Sequence, residues 1–185
     1  MHLDSPPDAL IRWVRTRQVS RLVPQGTSVC DVGCGENPVM LKALREKISK
    51  GVGIDILVEN GRDGNLELRR GDFTKRLPIA DGEFGTITML AIIEHLENPA
   101  PLLRECGRGL RRSGRIILTT PSPPSKPVLE LLAWLHVISR KEIFDHKHYY
   151  NKEEIEGLLA AAGFRDVKAW AVSFGLNNMA VGFKK

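Results

Sequence analysis

The segment Ser28-Val29-Cys30-Asp31-Val32-Gly33-Cys34-Gly35-Glu36-Asn37-Pro38 constrains this chain more than any other. A short apolar run ends on an acid, two glycines follow at once, and a helical pattern spans Val39 to Ser49. Strand, glycine turn and helix in that order let a backbone press against a nucleotide-like ligand. The polar residues then narrow the ligand. A dinucleotide site needs a third glycine at position 38 and a loop that welcomes pyrophosphate. This chain has Pro38 there, with carboxylates at Asp31 and Glu36 that repel phosphate. A nucleoside bearing positive charge suits such a turn better, which disfavours a nicotinamide-dependent oxidoreductase.

A length of 185 residues suits one domain with one substantial core, taken as residues 1–185. No apolar run approaches the ~20 residues needed to cross a bilayer. The start, Met1-His2-Leu3-Asp4-Ser5-Pro6-Pro7, lacks the basic-then-apolar form of a secretory signal. Cys30, Cys34 and Cys106 are an odd set without metal-ligand spacing, read as reduced thiols, Cys30 in the core. Together these features lead to the expectation of a cytoplasmic protein. The net charge of +5 is uneven, with Arg12, Arg15, Arg17 and Arg21 near the start and Arg108, Arg111, Arg112 and Arg115 in the middle. Solvated helix faces explain such groups; an anionic partner such as a membrane surface or RNA is the sharper reading, and no motif supports either. A small-molecule partner is expected, with the oligomeric state open.

Helical and extended patterns alternate along the chain. A first helix is expected over about residues 7–20, then strands at Ser28–Val32, Val52–Ile56, Leu66–Arg70, Gly85–Leu90 and Arg115–Thr119. Helices are expected at Val39–Ser49, Pro99–Leu110 and Lys152–Ala162, the last with Asn151 as N-cap and Gly163 as its stop. Two extended runs, Val167–Ser173 and Met179–Phe183, read as a closing hairpin. The pattern is α/β: a doubly wound, mostly parallel sheet covered on both faces. Only Leu57 to Asn65 separate the second and third strands, which is short for a parallel crossover, so a stripped-down loop is expected there.

With Asp31, Gly33 and Gly35 in place, the chain resembles the class I S-adenosylmethionine-dependent methyltransferases, whose first motif is roughly acid-x-Gly-x-Gly-x-Gly. It departs at Asn37, in the third glycine's place, a residue type that tolerates left-handed backbone. The likeness continues through Gly71-Asp72-Phe73, Leu77 to Leu90, Ala91-Ile92-Ile93-Glu94-His95-Leu96, and Ser113-Gly114-Arg115 to the C-terminus. It implies a Rossmann-like fold with a seven-stranded sheet, S-adenosylmethionine as cofactor, and methyl transfer as the activity. It further implies that Asp31, Gly33, Cys34 and Gly35 border the donor. Asp55 would accept both ribose hydroxyls beside Ile56, Asp72 would take the adenine amino group with Phe73 near the ring, and Leu90 and Ala91 would offer backbone carbonyls to the ammonium.

Methyl transfer from a sulfonium is an in-line displacement, in which positioning supplies most of the acceleration. Only some acceptors need a base. His95, just after the fourth strand, is a candidate catalytic residue with Glu94 as its competitor, and His146 and His148 are candidates in Asp145-His146-Lys147-His148-Tyr149-Tyr150. Two histidines without a clear third ligand give no metal assignment. Residues 121–150 read as a substrate-covering insertion, with an apolar helix over 128–139 suited to a lid, a dimer contact or a hydrophobic, lipid-linked acceptor. A catalytically silent S-adenosylmethionine-binding partner or regulator is the alternative function.

Overall fold

The computed structural model describes residues 6–72, 76–134 and 145–185, with the backbone alone for 6–11 and 133. Phe73 and the second half of the expected 128–139 helix therefore lie outside the described residues. The elements are α1 (Pro6–Leu22), β1 (Ser28–Val32), α2 (Val39–Leu44), β2 (Lys50–Asp55), β3 (Gly61–Asp63), β4 (Leu66–Arg70), β5 (Phe84–Leu90), a 3-10 turn (Ile93–His95), α3 (Ala100–Gly109), β6 (Leu110–Pro121), α4 (Ser125–Trp134), α5 (Lys152–Ala161), β7 (Phe164–Val172), a second 3-10 turn (Ser173–Gly175) and β8 (Asn177–Lys184).

One eight-stranded sheet runs in the order β3-β4-β2-β1-β5-β6-β8-β7. Strands β4, β2, β1, β5 and β6 are parallel, while β8 and β7 close one edge as an antiparallel hairpin. The order reverses beside β1: β2 lies on one side and β5 on the other. A crevice opens at the carboxyl ends of strands at such a switch point, where α/β sheets hold their ligands.

The eighth strand corrects the expected seven. Strand β3 lies in the short connection after β2 and pairs antiparallel with β4 from Gly61↔Leu68 to Asp63↔Leu66. The chain thus overshoots into a small hairpin and returns as β4, a crossover without a helix. Strand β2 also begins two residues earlier than its apolar run, because Gly51 and Gly53 interrupt that run. A side chain at either position would force its neighbours to shift: a Cβ on Gly51 would lie 2.6 Å from Leu66 Cδ2, and one on Gly53 would lie 2.8 Å from Cys34 Sγ. Helix α2 ends at Leu44, before the expected Ser49, as Lys47 and Ile48 donate their N–H groups back to the Leu44 carbonyl in a tighter turn.

Alternating strand residues feed two cores. Cys30, Val32, Ile54, Ile87 and Met89 pack against Leu102, Leu103 and Cys106 of α3 and Ile155 and Leu159 of α5. On the other face Val29, Leu66 and Ile117 pack against Val19 of α1 and Met40, Leu41 and Leu44 of α2. The three cysteines are free and buried, and desolvation raises the thiol of Cys106 to about 12. Helix α5 starts as expected: the Asn151 side chain accepts from Glu154 N–H at 2.8 Å, and Glu154 Oε2 accepts from Asn151 N–H at 2.7 Å. Gly163, at φ +96°, follows its C-terminus.

Much of the central basic group serves the fold. Arg108 bonds Glu105, Asp81 and the carbonyl of Ile79, and Arg115 donates to the Leu22 carbonyl while lying over the Phe183 ring. Among the described residues no helix is long and apolar enough to cross a membrane.

Candidate functional site

The turn after β1 folds back onto the end of β2. Gly33 N–H donates to the Ile54 carbonyl at 2.8 Å, and Cys34 N–H reaches the same oxygen at 3.3 Å. Gly33 and Gly35 both take positive φ, +79° and +68°, a region closed to most side chains. Asn37 does not share it: positive φ is confined to other residues, so the third glycine of the motif is not required here. Instead the Asn37 side-chain oxygen accepts from Lys42 Nζ at 2.7 Å.

Asp55, at the end of β2, ties the turn down. Its Oδ2 accepts from Gly35 N–H at 2.8 Å and its Oδ1 from Leu57 N–H at 3.0 Å. Each carboxylate oxygen retains a second lone pair for a hydroxyl. Ile56 and Leu57, immediately beyond, are large apolar side chains left 52% and 66% exposed. The space beside Gly35 is open as well, since a Cβ there would meet nothing within 4 Å. Asp72, half-buried, follows β4, whose neighbour Gly71 donates its N–H to the Asp55 carbonyl at 3.1 Å.

Asp31 sits beneath this turn, buried, with its Oδ1 accepting from Thr88 Oγ1 at 2.6 Å. Burial pushes its carboxyl up to about 7, the Thr88 bond opposes the rise, and nearby Asp55 adds to it. Two buried acids in one crevice make ground that favours a cation. At the exit of β5, Leu90 is half-buried and Ala91 takes φ +58° while donating its N–H to the Thr119 carbonyl at 2.9 Å. A non-glycine residue in that conformation marks a sharply turned strand exit.

The next turn carries Glu94 and His95. Glu94 is fully buried, its Oε2 accepting from Thr120 Oγ1 at 3.0 Å while Oε1 has no partner. Burial raises its carboxyl above the usual range. Its backbone carbonyl accepts from Lys147 N–H at 2.7 Å and His148 N–H at 3.3 Å, which fastens the 145–149 segment to the strand exit. His95 Nδ1 lies 3.3 Å from Asp145 Oδ2, and its ring meets His146 edge-on at 4.8 Å between centroids. His146 Nδ1 lies 3.0 Å from the Tyr149 hydroxyl. Desolvation, with the neighbouring His95, lowers His146 to about 4 against the opposing pull of Asp145, so its ring is neutral.

Of the three candidate histidines, then, the structure joins His95 and His146 and turns the third away. His148 pairs with Glu154 at 3.2 Å and tilts over Tyr150. Glu94, named from sequence only as a rival to His95, proves to anchor the whole cluster. Thr88, Thr120 and Tyr149, the residues that hold these groups, carry no signal in the sequence.

The fold is that of S-adenosylmethionine-dependent methyltransferases. The structure superposes on such an enzyme from Mesorhizobium loti with a TM-score of 0.67, at 15% identity over 93% of this chain and 97% of that one. It also matches a Haemonchus contortus phosphoethanolamine N-methyltransferase, solved with S-adenosylhomocysteine, with a TM-score of 0.68, at 15% identity over 93% of this chain and 53% of that one. In sequence, residues 8–169 match the family described as "Methyltransferase domain". The chain belongs to that family, and S-adenosylmethionine is the cofactor this membership assigns to it.

Relatives include a Mycobacterium tuberculosis protein named "Probable S-adenosylmethionine-dependent methyltransferase", 28% identical over 84% of this chain and 56% of its own length. Another is a ubiquinone biosynthesis O-methyltransferase of Idiomarina loihiensis, 25% identical over 77% of this chain and 63% of its own. A demethylmenaquinone methyltransferase of Staphylococcus epidermidis is 26% identical over 94% and 82%. The chain thus spans little more than half the length of the mycobacterial protein. The site fits the cofactor: paired acids suit its sulfonium and ammonium charges, the open side of Gly35 admits a close ligand, and the Asp55 oxygens keep acceptor capacity.

Proposed function

We propose that this chain transfers a methyl group from S-adenosylmethionine to a small acceptor with an apolar body, of the quinone-precursor kind that the names of its relatives indicate. The observation that carries this reading is the Asp55 carboxylate bonded to both Gly35 and Leu57, which fixes an anionic, preformed cradle at the switch point of the sheet. When bound, the sulfonium supplies an electrophilic methyl group. Asp55 receives ribose hydroxyls on its free lone pairs, Ile56 and Leu57 offer an apolar shelf to a flat base, and Asp72 stands beyond them at the end of β4. The Leu90 and Ala91 carbonyls at the sharp β5 exit receive an ammonium.

An acceptor hydroxyl must lose its proton for the displacement. Glu94, His95 and His146 are the titratable groups gathered beside that exit. The apolar body has a surface to meet: Val128, Leu131 and Trp134 of α4 are exposed, and Phe174 stands fully exposed in the turn whose Gly175 carbonyl accepts from Ser122. Exposed side chains of this size mark an interaction surface.

The test is incubation with methyl-deuterated S-adenosylmethionine and prenylated catechol, demethylated quinol and phosphoethanolamine acceptors, read by mass spectrometry. Deuteromethyl product from a prenylated ring, with thermal stabilisation by S-adenosylhomocysteine and none by NAD, is the expected result. Stabilisation by NAD alone overturns the reading. Donor binding without product from any acceptor replaces it with the silent binding partner.

A further inference from the structure

We propose that Glu94, His95 and His146 form a binding site for one divalent transition-metal ion of the zinc type, held by a carboxylate and two imidazoles. Each residue offers one ligand atom within 4.8 Å of the others. A carboxylate with two imidazoles is a familiar ligand set for Zn²⁺, with the remaining position left open. The three come from two chain segments, the turn after β5 and the segment before α5, and main-chain bonds from Lys147 and His148 to the Glu94 carbonyl hold those segments together.

The carboxylate supplies the independent observation. Glu94 Oε2 is occupied by Thr120, while Oε1 is buried and has no partner. A buried acceptor left unsatisfied is costly and calls for a specific explanation. An ion at the centre of this group removes that cost.

The histidines are prepared as well. With the ring proton on Nδ1, His95 donates to Asp145 and His146 donates to the Tyr149 oxygen, at 3.3 and 3.0 Å. Each ring then presents the lone pair of Nε2. Metal-bound imidazoles are held in this manner, by a carboxylate or another oxygen on the far nitrogen. Bonds of about 2.0–2.1 Å set ligand atoms about 3.3 Å apart in a tetrahedron. On this proposal the bound ion draws the two half-buried imidazoles in from their 4.8 Å limit toward Glu94, whose carboxylate Thr120 holds.

The inference concerns binding of the ion and stands apart from the identity of donor or acceptor. Purified chain, stripped with chelator, is titrated with Zn²⁺ by calorimetry and with Co²⁺ by visible absorption. One ion per chain is expected, with d–d bands typical of nitrogen and oxygen ligation and little heat from Mg²⁺. Glu94→Gln, His146→Ala and His95→Ala each weaken Zn²⁺ binding about 100-fold, Asp145→Asn weakens it about 10-fold as a positioning residue, and His148→Ala leaves it unchanged. His95 is partly exposed, so its variant keeps the test alive if either of the others unfolds. Circular dichroism of the metal-free variants checks that point. Absence of binding overturns the proposal, as does Zn²⁺ affinity indifferent to all three ligand variants. Thiolate-to-cobalt charge transfer overturns it too, by placing the ion on cysteine.

Discussion

Gly35 and Asp55, 20 residues apart, meet at 2.8 Å through a backbone N–H and a side-chain oxygen. This contact closes the glycine turn over the end of β2 and gives the crevice its shape before any ligand arrives. Asp55→Ala removes it together with the bond to Leu57, leaving two backbone donors to find water. We expect a stability loss of about 1–3 kcal/mol by urea denaturation and at least a tenfold fall in S-adenosylhomocysteine affinity by calorimetry. Unchanged affinity would detach Asp55 from the donor.

Gly35→Ala acts on the same turn by another route. No atom lies within 4 Å of the added methyl, so the cost is that of a non-glycine residue at φ +68°, about 1–2 kcal/mol. The methyl also enters the open side of the turn, so donor affinity falls further than stability does. Equal losses of both would show that the space is not used.

Asp31 makes stability depend on pH in a stated direction. Its folded pKa is raised, to about 7, by burial. Between about pH 4 and pH 7 the folded state therefore holds more protons than the unfolded chain, and stability falls as pH rises through that window, by roughly 4 kcal/mol in all, then levels off. Urea denaturation across the window checks this, and Asp31→Asn should flatten the slope. Cation binding in the crevice lowers the same pKa, so S-adenosylmethionine binding near neutral pH should release a proton, seen as buffer-dependent heat in calorimetry.

Asn151→Ala removes the cap of α5 and one half of the reciprocal pair with Glu154. A loss of about 1 kcal/mol is expected in thermal or chemical denaturation, without change in donor affinity.

Leu131→Ser tests the apolar surface of α4. The side chain is 56% exposed, so stability should move by no more than about 0.5 kcal/mol. Under the proposed function KM for prenylated acceptors rises while donor affinity holds. A parallel loss of donor binding would make α4 part of the core.

The sequence was most legible where local chemistry and tertiary structure agree. Strand β1 carries its apolar run and its acid in register, and Asn151 and Gly163 punctuate α5 as their side chains dictate. Legibility failed where the signal was not local. Strand β3 has three exposed residues and no apolar face, so only its pairing with Leu66 to Leu68 defines it. Gly51 and Gly53 look like strand breakers but are demanded by Leu66 and Cys34 packing over them. The meeting of Glu94 with His146 joins distant segments, which no spacing rule reaches. The glycine turn itself was read through its residue types, whereas its bond to Asp55 was not, since Asp55 reads in the sequence only as an acceptor for ribose hydroxyls.

The Glu94 carbonyl receives its two bonds from the main chain of Lys147 and His148, not from their side chains. The mooring of that segment is therefore blind to sequence. Residues along it can be exchanged during evolution to suit a new acceptor while the berth stays where it is, so selectivity can drift on a frame that does not.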